Sequence, residues 1–509
     1  MLTFAALSGP LPKLGVIAVA LLAAIAILAR DDGGRAWAML GALILSPLLL
    51  IVDIWHSPQL GVVHRHPLEA AVGAAFALGV LGALAVVIAR RPRLLAVLAM
   101  IALPFRIPIE AAGITSNLLV PLYVVVAAGS LAWIVPALRS REPRPERSER
   151  LTFEWLLGAF VVLYAVQALY SVDFEQALQN MVFFYVPFAL LMTMLRDLDW
   201  DRELLTRCLT VTAVLAVAFA AIGFVEEITG KLLLNPKLIA ENQIHAYFTV
   251  NSVFFDPDIF GRYLALVMIL LIATLLYERV RRTQLLVTAT LGILWAGLVL
   301  TLSRSSLAAL LVGMATLAAL RWRAKPVFAA AGVVIVLGAA AVAITPRTFG
   351  LNQGLNGASS GRAHLVTGGI SMFAEEPLWG HGSGSFVTEY QRHYPLGSQI
   401  VSASHTIPVT VAEEQGLIGL FAYLALVIAA IVALFQGARD DPPRAAIAAA
   451  FLALLLHTLL YAAFLEDPIT WTLLGIGASL AVAHRGRRAA QEREAERERR
   501  AARTAAAQV

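Results

Sequence analysis

Apolar blocks of roughly 17–25 residues, separated by short polar stretches, run through most of the chain. At about 1.5 Å rise per residue, a block of that length crosses the hydrocarbon core of a bilayer as a helix. Only a helix satisfies its own backbone over such a stretch, and the alternating pattern of a membrane barrel strand is absent. The blocks predict spans at about 14–29, 36–53, 68–89, 94–110, 117–138, 153–170, 178–195, 205–225, 259–277, 284–301, 306–320, 327–345, 408–435, 445–463 and 468–484. The block at 94–110 carries Pro104, Arg106 and Pro108 and reads as broken, re-entrant backbone. The expected class is therefore all-α, a polytopic membrane protein of about 13–15 transmembrane helices.

Composition agrees with the pattern. Hydrophobic residues make up 59% of 509 positions and charged residues only 14%, too little charge for a soluble domain of this length. The single cysteine, Cys208, lies in an apolar block, which excludes an internal disulfide and a cysteine-based metal site. The first block, Leu14 to Leu28, reads as a retained helix rather than a cleaved signal, because charge follows it instead of preceding it.

The formal charge of +5 concentrates in alternate short loops, as the positive-inside rule requires, and does not imply nucleic acid as a partner. With the basic tail from Arg485 to Arg503 taken as cytoplasmic, the other cytoplasmic loops are 437–444, 321–325, 278–282, 196–202, 139–150, 90–93 and 30–35. Fifteen spans would put the N-terminus on the other side. Five regions result: N-terminal helices 1–225, central helices 226–345 with a first extracytoplasmic loop at 226–258, a large extracytoplasmic loop at 346–407, C-terminal helices 408–484, and a mixed-charge tail 485–509.

The large loop holds most of the candidate chemistry. Its stretch 361–375 has helical spacing, and 389–394 reads as part of a second helix. Arg362 and Arg392 could grip a diphosphate by a bidentate fork, or simply snorkel to lipid headgroups. His405, at the start of the next span, could accept a proton or be an ordinary interfacial histidine. Glu413, eight residues on, is expected on the same helical face, beside Glu414. Acids inside a span are functional or paired. Gly380, Gly382 and Gly384 read as a tight turn, since no strand precedes them to make a dinucleotide fingerprint. His381, His393 and Glu389 lack a specific metal spacing. Asp256, Pro257 and Asp258 read as a helix start. Arg262, one turn further on, and Arg304, between two spans, would make an anion site if both point inward.

Four segments in this order resemble the O-antigen ligase and polymerase family of bacterial membrane glycosyltransferases. They are NSVFFDPDIFGRYLAL (251–266), TLSRSSL (301–307), SGRAHLVTGGISMFAEEPLWGHGSGSF (360–386) and SHTIPVTVAEEQGLIGLFAYL (404–424). The resemblance covers about a third of the chain. It implies a GT-C-like fold, a polyprenyl-diphosphate-linked glycan as donor, a glycan or glycolipid hydroxyl as acceptor, and inverting transfer with no metal or other cofactor. Arg362 matches the arginine that opens the family's first loop helix, and His405 matches its histidine before the late span. The chain departs from the family at Thr406, where relatives often carry Asn, and near Thr249, where the family has an arginine that Arg262 would replace.

The expected function is glycan transfer on the extracytoplasmic face of a bacterial inner membrane. His405, Arg362 and Glu413 are the catalytic candidates, and Arg362, Arg262, Arg304 and Arg392 the diphosphate-binding ones. Membrane lipids surround the protein, and the donor is confined to their plane. The alternatives are a transporter or flippase of a lipid-linked saccharide, which would favour inverted repeats and midplane acids, and a non-catalytic partner of a polysaccharide assembly complex.

Overall fold

The computed structural model describes residues 9–54, 65–111, 114–139, 149–232, 248–322, 362–395, 404–461 and 463–506, with scattered positions between 239 and 333. The predicted span at 327–345 and the stretch 351–360 lie largely or wholly outside the described residues.

The chain is a polytopic helical membrane protein. Its helices are α1 (Pro10–Leu28), α2 (Asp32–Ile54), α3 (Pro67–Arg90), α4 (Leu94–Ala102), α5 (Val120–Arg139), α6 (Thr152–Ala168), α7 (Phe174–Asn180), α8 (Val186–Arg196), α9 (Arg202–Thr229), α10 (Pro257–Tyr277), α11 (Arg281–Leu300) and α12 (Arg304–Arg321). Then follow α13 (Arg362–Glu375), α14 (Phe386–His393), α15 (Ile407–Phe435), α16 (Pro442–Leu460) and α17 (Pro468–Ala506). A π-helical turn, Met181–Tyr185, joins α7 to α8 into one apolar segment. Eleven helical segments among the described residues are long and apolar enough to cross a membrane. Besides these, α6 is a shorter apolar helix, and the first half of α17 is apolar in sequence.

The broken block at 94–110 resolves into α4, a turn, and an antiparallel hairpin of β1 (Ile107–Ala111) and β2 (Ile114–Leu118). Proline inside the apolar run explains the stop, because it removes a backbone donor and clashes with the preceding turn. This hairpin is a local departure within an otherwise helical fold.

Small residues line the packed faces. Val19, Ala20, Ala23 and Ala26 of α1 are fully covered, and α1 packs against α2 and α6. A buried ion cluster ties these helices together. Arg196 Nε lies 2.6 Å from Glu154 Oε1, Arg150 Nη1 lies 3.5 Å from the same oxygen, and Arg35 pairs with Asp197 at 2.8 Å.

The feature that positions the late loop is an interruption in α15. Gly416 takes φ 63 and ψ −164, which splits the helix. A side chain there would run into the Leu378 carbonyl. The turn between α13 and α14 fills the break. His381 N donates to Glu413 O (3.0 Å), Gly382 N to Glu414 O (2.8 Å), and Leu417 N to Pro377 O (2.8 Å). Gln167 Nε2 completes the set at Gln415 O (3.1 Å). Irregular backbone is tolerated at membrane depth only where protein satisfies it in this way. Gly380, Gly382 and Gly384 all have positive φ, as their reading as a tight turn required.

Gly382→Ala would drive a methyl group into the Ser171 backbone. It should lower the thermal midpoint of the purified protein clearly, whereas Gly292→Ala, where nothing lies within 4 Å, should leave it in place. Equal midpoints for the two variants would refute the wedge.

Candidate functional site

The site is built on helix starts. Asp256 caps α10, its carboxylate accepting from Asp258 N at 2.6 Å, with Pro257 in the first turn. Ser303 caps α12 by accepting from Ser306 N. Arg362 opens α13 and Ile407 opens α15. The N-terminal ends of α10, α12 and α13 converge on one carboxylate. Asp258 Oδ1 accepts from Ser303 Oγ and from Ser305 Oγ (3.0 Å), and Oδ2 accepts from Arg362 Nη2 at 3.2 Å. Helix starts carry positive dipole ends and unpaired N–H groups, so an acid is stabilised there. Close approach of α10 and α12 depends on Gly261, whose missing Cβ would lie 2.8 Å from Ser306 Oγ.

The end of α16 completes the cluster. His457 Nε2 lies 3.2 Å from both Ser305 Oγ and Ser306 Oγ. Arg362 Nη1 donates to the Leu460 carbonyl at 2.9 Å. Tyr461 donates its hydroxyl to Asp256 Oδ2 at 3.0 Å and meets the His405 ring edge-on, with centroids 5.9 Å apart. His405 itself lies just before α15 in the left-handed region, φ 59, a conformation few non-glycine residues adopt. Its Nδ1 is buried without a hydrogen-bond partner among the described residues.

Electrostatics separate the members. Burial pushes the His405 imidazole below its ordinary range, the nearby Arg362 charge adds to the effect, and Asp258 opposes it. The ring is therefore neutral at pH 7. Burial first, and then Asp258, push the Asp256 carboxyl up. Burial and the adjacent Asp467 push Glu466 up to about 7.

The sequence-predicted residues separate accordingly. Arg362 pairs with Asp258, and both lie within electrostatic range of His405. Arg262 is only 2% exposed and pairs with Asp467 at 2.8 Å. Its Nε and Nη1 lack hydrogen-bond partners among the described residues, and Arg262 and Arg106 both line a cavity of about 20 Å³. That space suits a water molecule, not a diphosphate. Arg304 does not point inward; it is exposed in the first turn of α12. Arg392 pairs at 2.6 Å with Glu389 on its own helix. Glu413 does not share a helical face with His405, because His405 precedes the helix. The Glu413 carboxylate instead lies 3.2 Å from His381 Nδ1 and accepts from Ser385 Oγ at 3.4 Å. His393 contacts Glu375 Oε2 at 3.0 Å, so it and His381 serve different partners.

Asp258, His457, Tyr461 and Asp467 were not singled out from the sequence as site residues. Asp258 was read only as a helix start. His457 offered one signal, an ionisable residue inside an apolar block.

Residues 289–424 match the family model for O-antigen ligase. This segment belongs to the O-antigen ligase family. The O-antigen ligase domain takes in Arg304, Arg362, Arg392, His405 and Glu413, and leaves Asp258, Arg262, His457, Tyr461 and Asp467 to the flanking helices. No curated protein matches the chain. An O-antigen ligase domain on a multi-pass helical scaffold supports a glycan-transferring, ligase-like function.

Asp258→Ala removes the acceptor of Ser303, Ser305 and Arg362 together, and should cost about 1–3 kcal/mol of stability. Arg207→Ala breaks only an exposed pair, with Glu203, worth about 1 kcal/mol or less. Thermal unfolding in detergent compares the two, and an equal or reversed order would remove Asp258 from the centre of the cluster.

Proposed function

We propose that the enzyme transfers a glycan from a polyprenyl diphosphate to an acceptor hydroxyl on the extracytoplasmic face of a bacterial inner membrane. The observation that carries this reading is the placing of a neutral imidazole, His405, within electrostatic range of the Arg362 guanidinium where several helix starts meet. Such starts attract phosphate. A lipid diphosphate lies at the membrane surface, level with the ends of spanning helices.

In the proposed reaction the acceptor oxygen attacks the anomeric carbon as the carbon–oxygen bond to the diphosphate breaks. The acceptor proton passes to the His405 imidazole. The departing diphosphate is held by Arg362, which shifts part of its hydrogen bonding from Asp258, and by exposed Arg304. Attack opposite the leaving group inverts the anomeric centre, and the energy stored in the glycosyl diphosphate requires no nucleotide and no metal. Asp258 orients Arg362 before the donor arrives. Arg262 lies deeper and contributes positive charge beneath the site. Glu413 acts at a distance, by holding the turn that anchors α13.

Purified protein in nanodiscs, a polyprenyl-diphosphate glycan, candidate acceptors and a chelator form the test. Product and free polyprenyl diphosphate should appear together. His405→Ala and Arg362→Ala should each lower the rate at least about a hundredfold while the protein still inserts and elutes normally. Full activity in both variants would sink the assignment. Substrate crossing the bilayer without a new glycosidic bond would favour a flippase.

The pH profile gives an independent check. The proposed base works when neutral, and its pKa lies below the ordinary histidine value. Activity should therefore persist through pH 7 and fall only as pH drops below about 6.5. An acid limb centred above that value would contradict the role of His405.

A further inference from the structure

A cavity of about 380 Å³ opens at the end of α15 opposite His405, where α15, α16 and the charged part of α17 meet. Arg444, His484, Arg485 and Arg488 line it, with Glu492 as the one acidic side chain among the lining residues. Gly437 forms its floor, with φ 75. A Cβ at that position would lie 2.6 Å from His484 Nε2 and 2.8 Å from Arg444 Nη1. The missing side chain leaves both nitrogens aimed at one point. Arg444 is 4% exposed and donates Nη2 to the Ala433 carbonyl at 3.2 Å. Arg485 Nη2 donates to Gln436 Oε1 at 2.8 Å, and Arg488 Nε to Glu492 Oε1 at 2.9 Å. Each of these exposed guanidinium groups keeps further N–H donors free for a ligand.

Three guanidinium groups against one carboxylate leave an excess of positive charge in a built hollow. Planar forks of this kind suit the oxygens of a phosphate. The site also has a definite depth. The turn between α15 and α16, both long enough to span, lies at the membrane surface. We propose that this cavity binds the phosphate group of an anionic phospholipid, with Arg444 and His484 at its base and Arg485 and Arg488 at its rim. Basic pockets between spanning helices at headgroup level take such lipids. A free phosphate ion shares the chemistry, but a lipid headgroup reaches the cavity sideways from the bilayer.

The test uses the full-length protein in phosphatidylcholine nanodiscs, titrated with phosphatidylglycerol or with inorganic phosphate, with bound ligand read by native mass spectrometry. Phosphatidylglycerol should bind, and R485A/R488A should weaken it roughly tenfold or more with an unchanged thermal midpoint. R493A/R497A, further along the same helix, should change nothing. Binding of inorganic phosphate alone, lost in R485A/R488A, would uphold the site and assign it to the free anion. Equal loss in both double variants would reduce the attraction to a diffuse tail charge and overturn the proposal, as would the absence of any preference for the anionic ligand.

Discussion

Backbone groups that leave a helix at membrane depth must find partners within the protein, and α15 breaks at Gly416. That single requirement organises the late part of the chain. The carbonyls of Glu413, Glu414 and Gln415 and the amide of Leu417 are satisfied by the turn between α13 and α14 and by Gln167. The turn can approach closely only because its three glycines adopt positive φ. Held in this way, the turn joining α13 to α14 packs directly against α15. That turn is wedged into the break in α15, and α13 extends from the wedge toward Asp258.

The other end of α13 is fixed by charge. Arg362 reaches the Asp258 carboxylate and the Leu460 carbonyl, so one side chain ties the loop helix to α10 and to the end of α16. Asp258 has a second task, accepting from the serines that open α12. An acid suits the starts of several helices, and it draws the arginine to the same place. The imidazole of His405 then lies among groups that keep it neutral. Arg262 shows the contrast. It is just as cationic, but it is buried against Asp467 and lacks the space a large anion needs.

Much of this was legible one segment at a time. The helix α13 followed from the helical spacing of 361–375, and the glycine turn from the lack of a preceding strand. The place of Arg262, one turn into a span, was legible too. Other features were not legible. Arg304 was expected to face inward, yet it is exposed, because Ser303, Ser305 and Ser306 take the inward positions at the start of α12. Glu413 was expected on the face of His405. That argument assumed continuous helix, and the left-handed backbone at His405 removes it. His457 and Tyr461 gave almost no signal, because their meaning lies in which serines and carboxylates face them.

The sequence by itself determined the helical class, the order of the spans and the two loop helices flanking a glycine turn. These depend on apolar run length, periodicity and local backbone preference, all properties of neighbouring residues. The tertiary structure alone decided that Asp258 joins α12 and α13, that Glu413 serves His381 and Ser385, and that three arginines surround a hollow at the far end of α15. Each of these pairings links residues far apart in the chain. Their partners are chosen by which helix ends come together in the folded protein, and apolar patterning does not encode that choice.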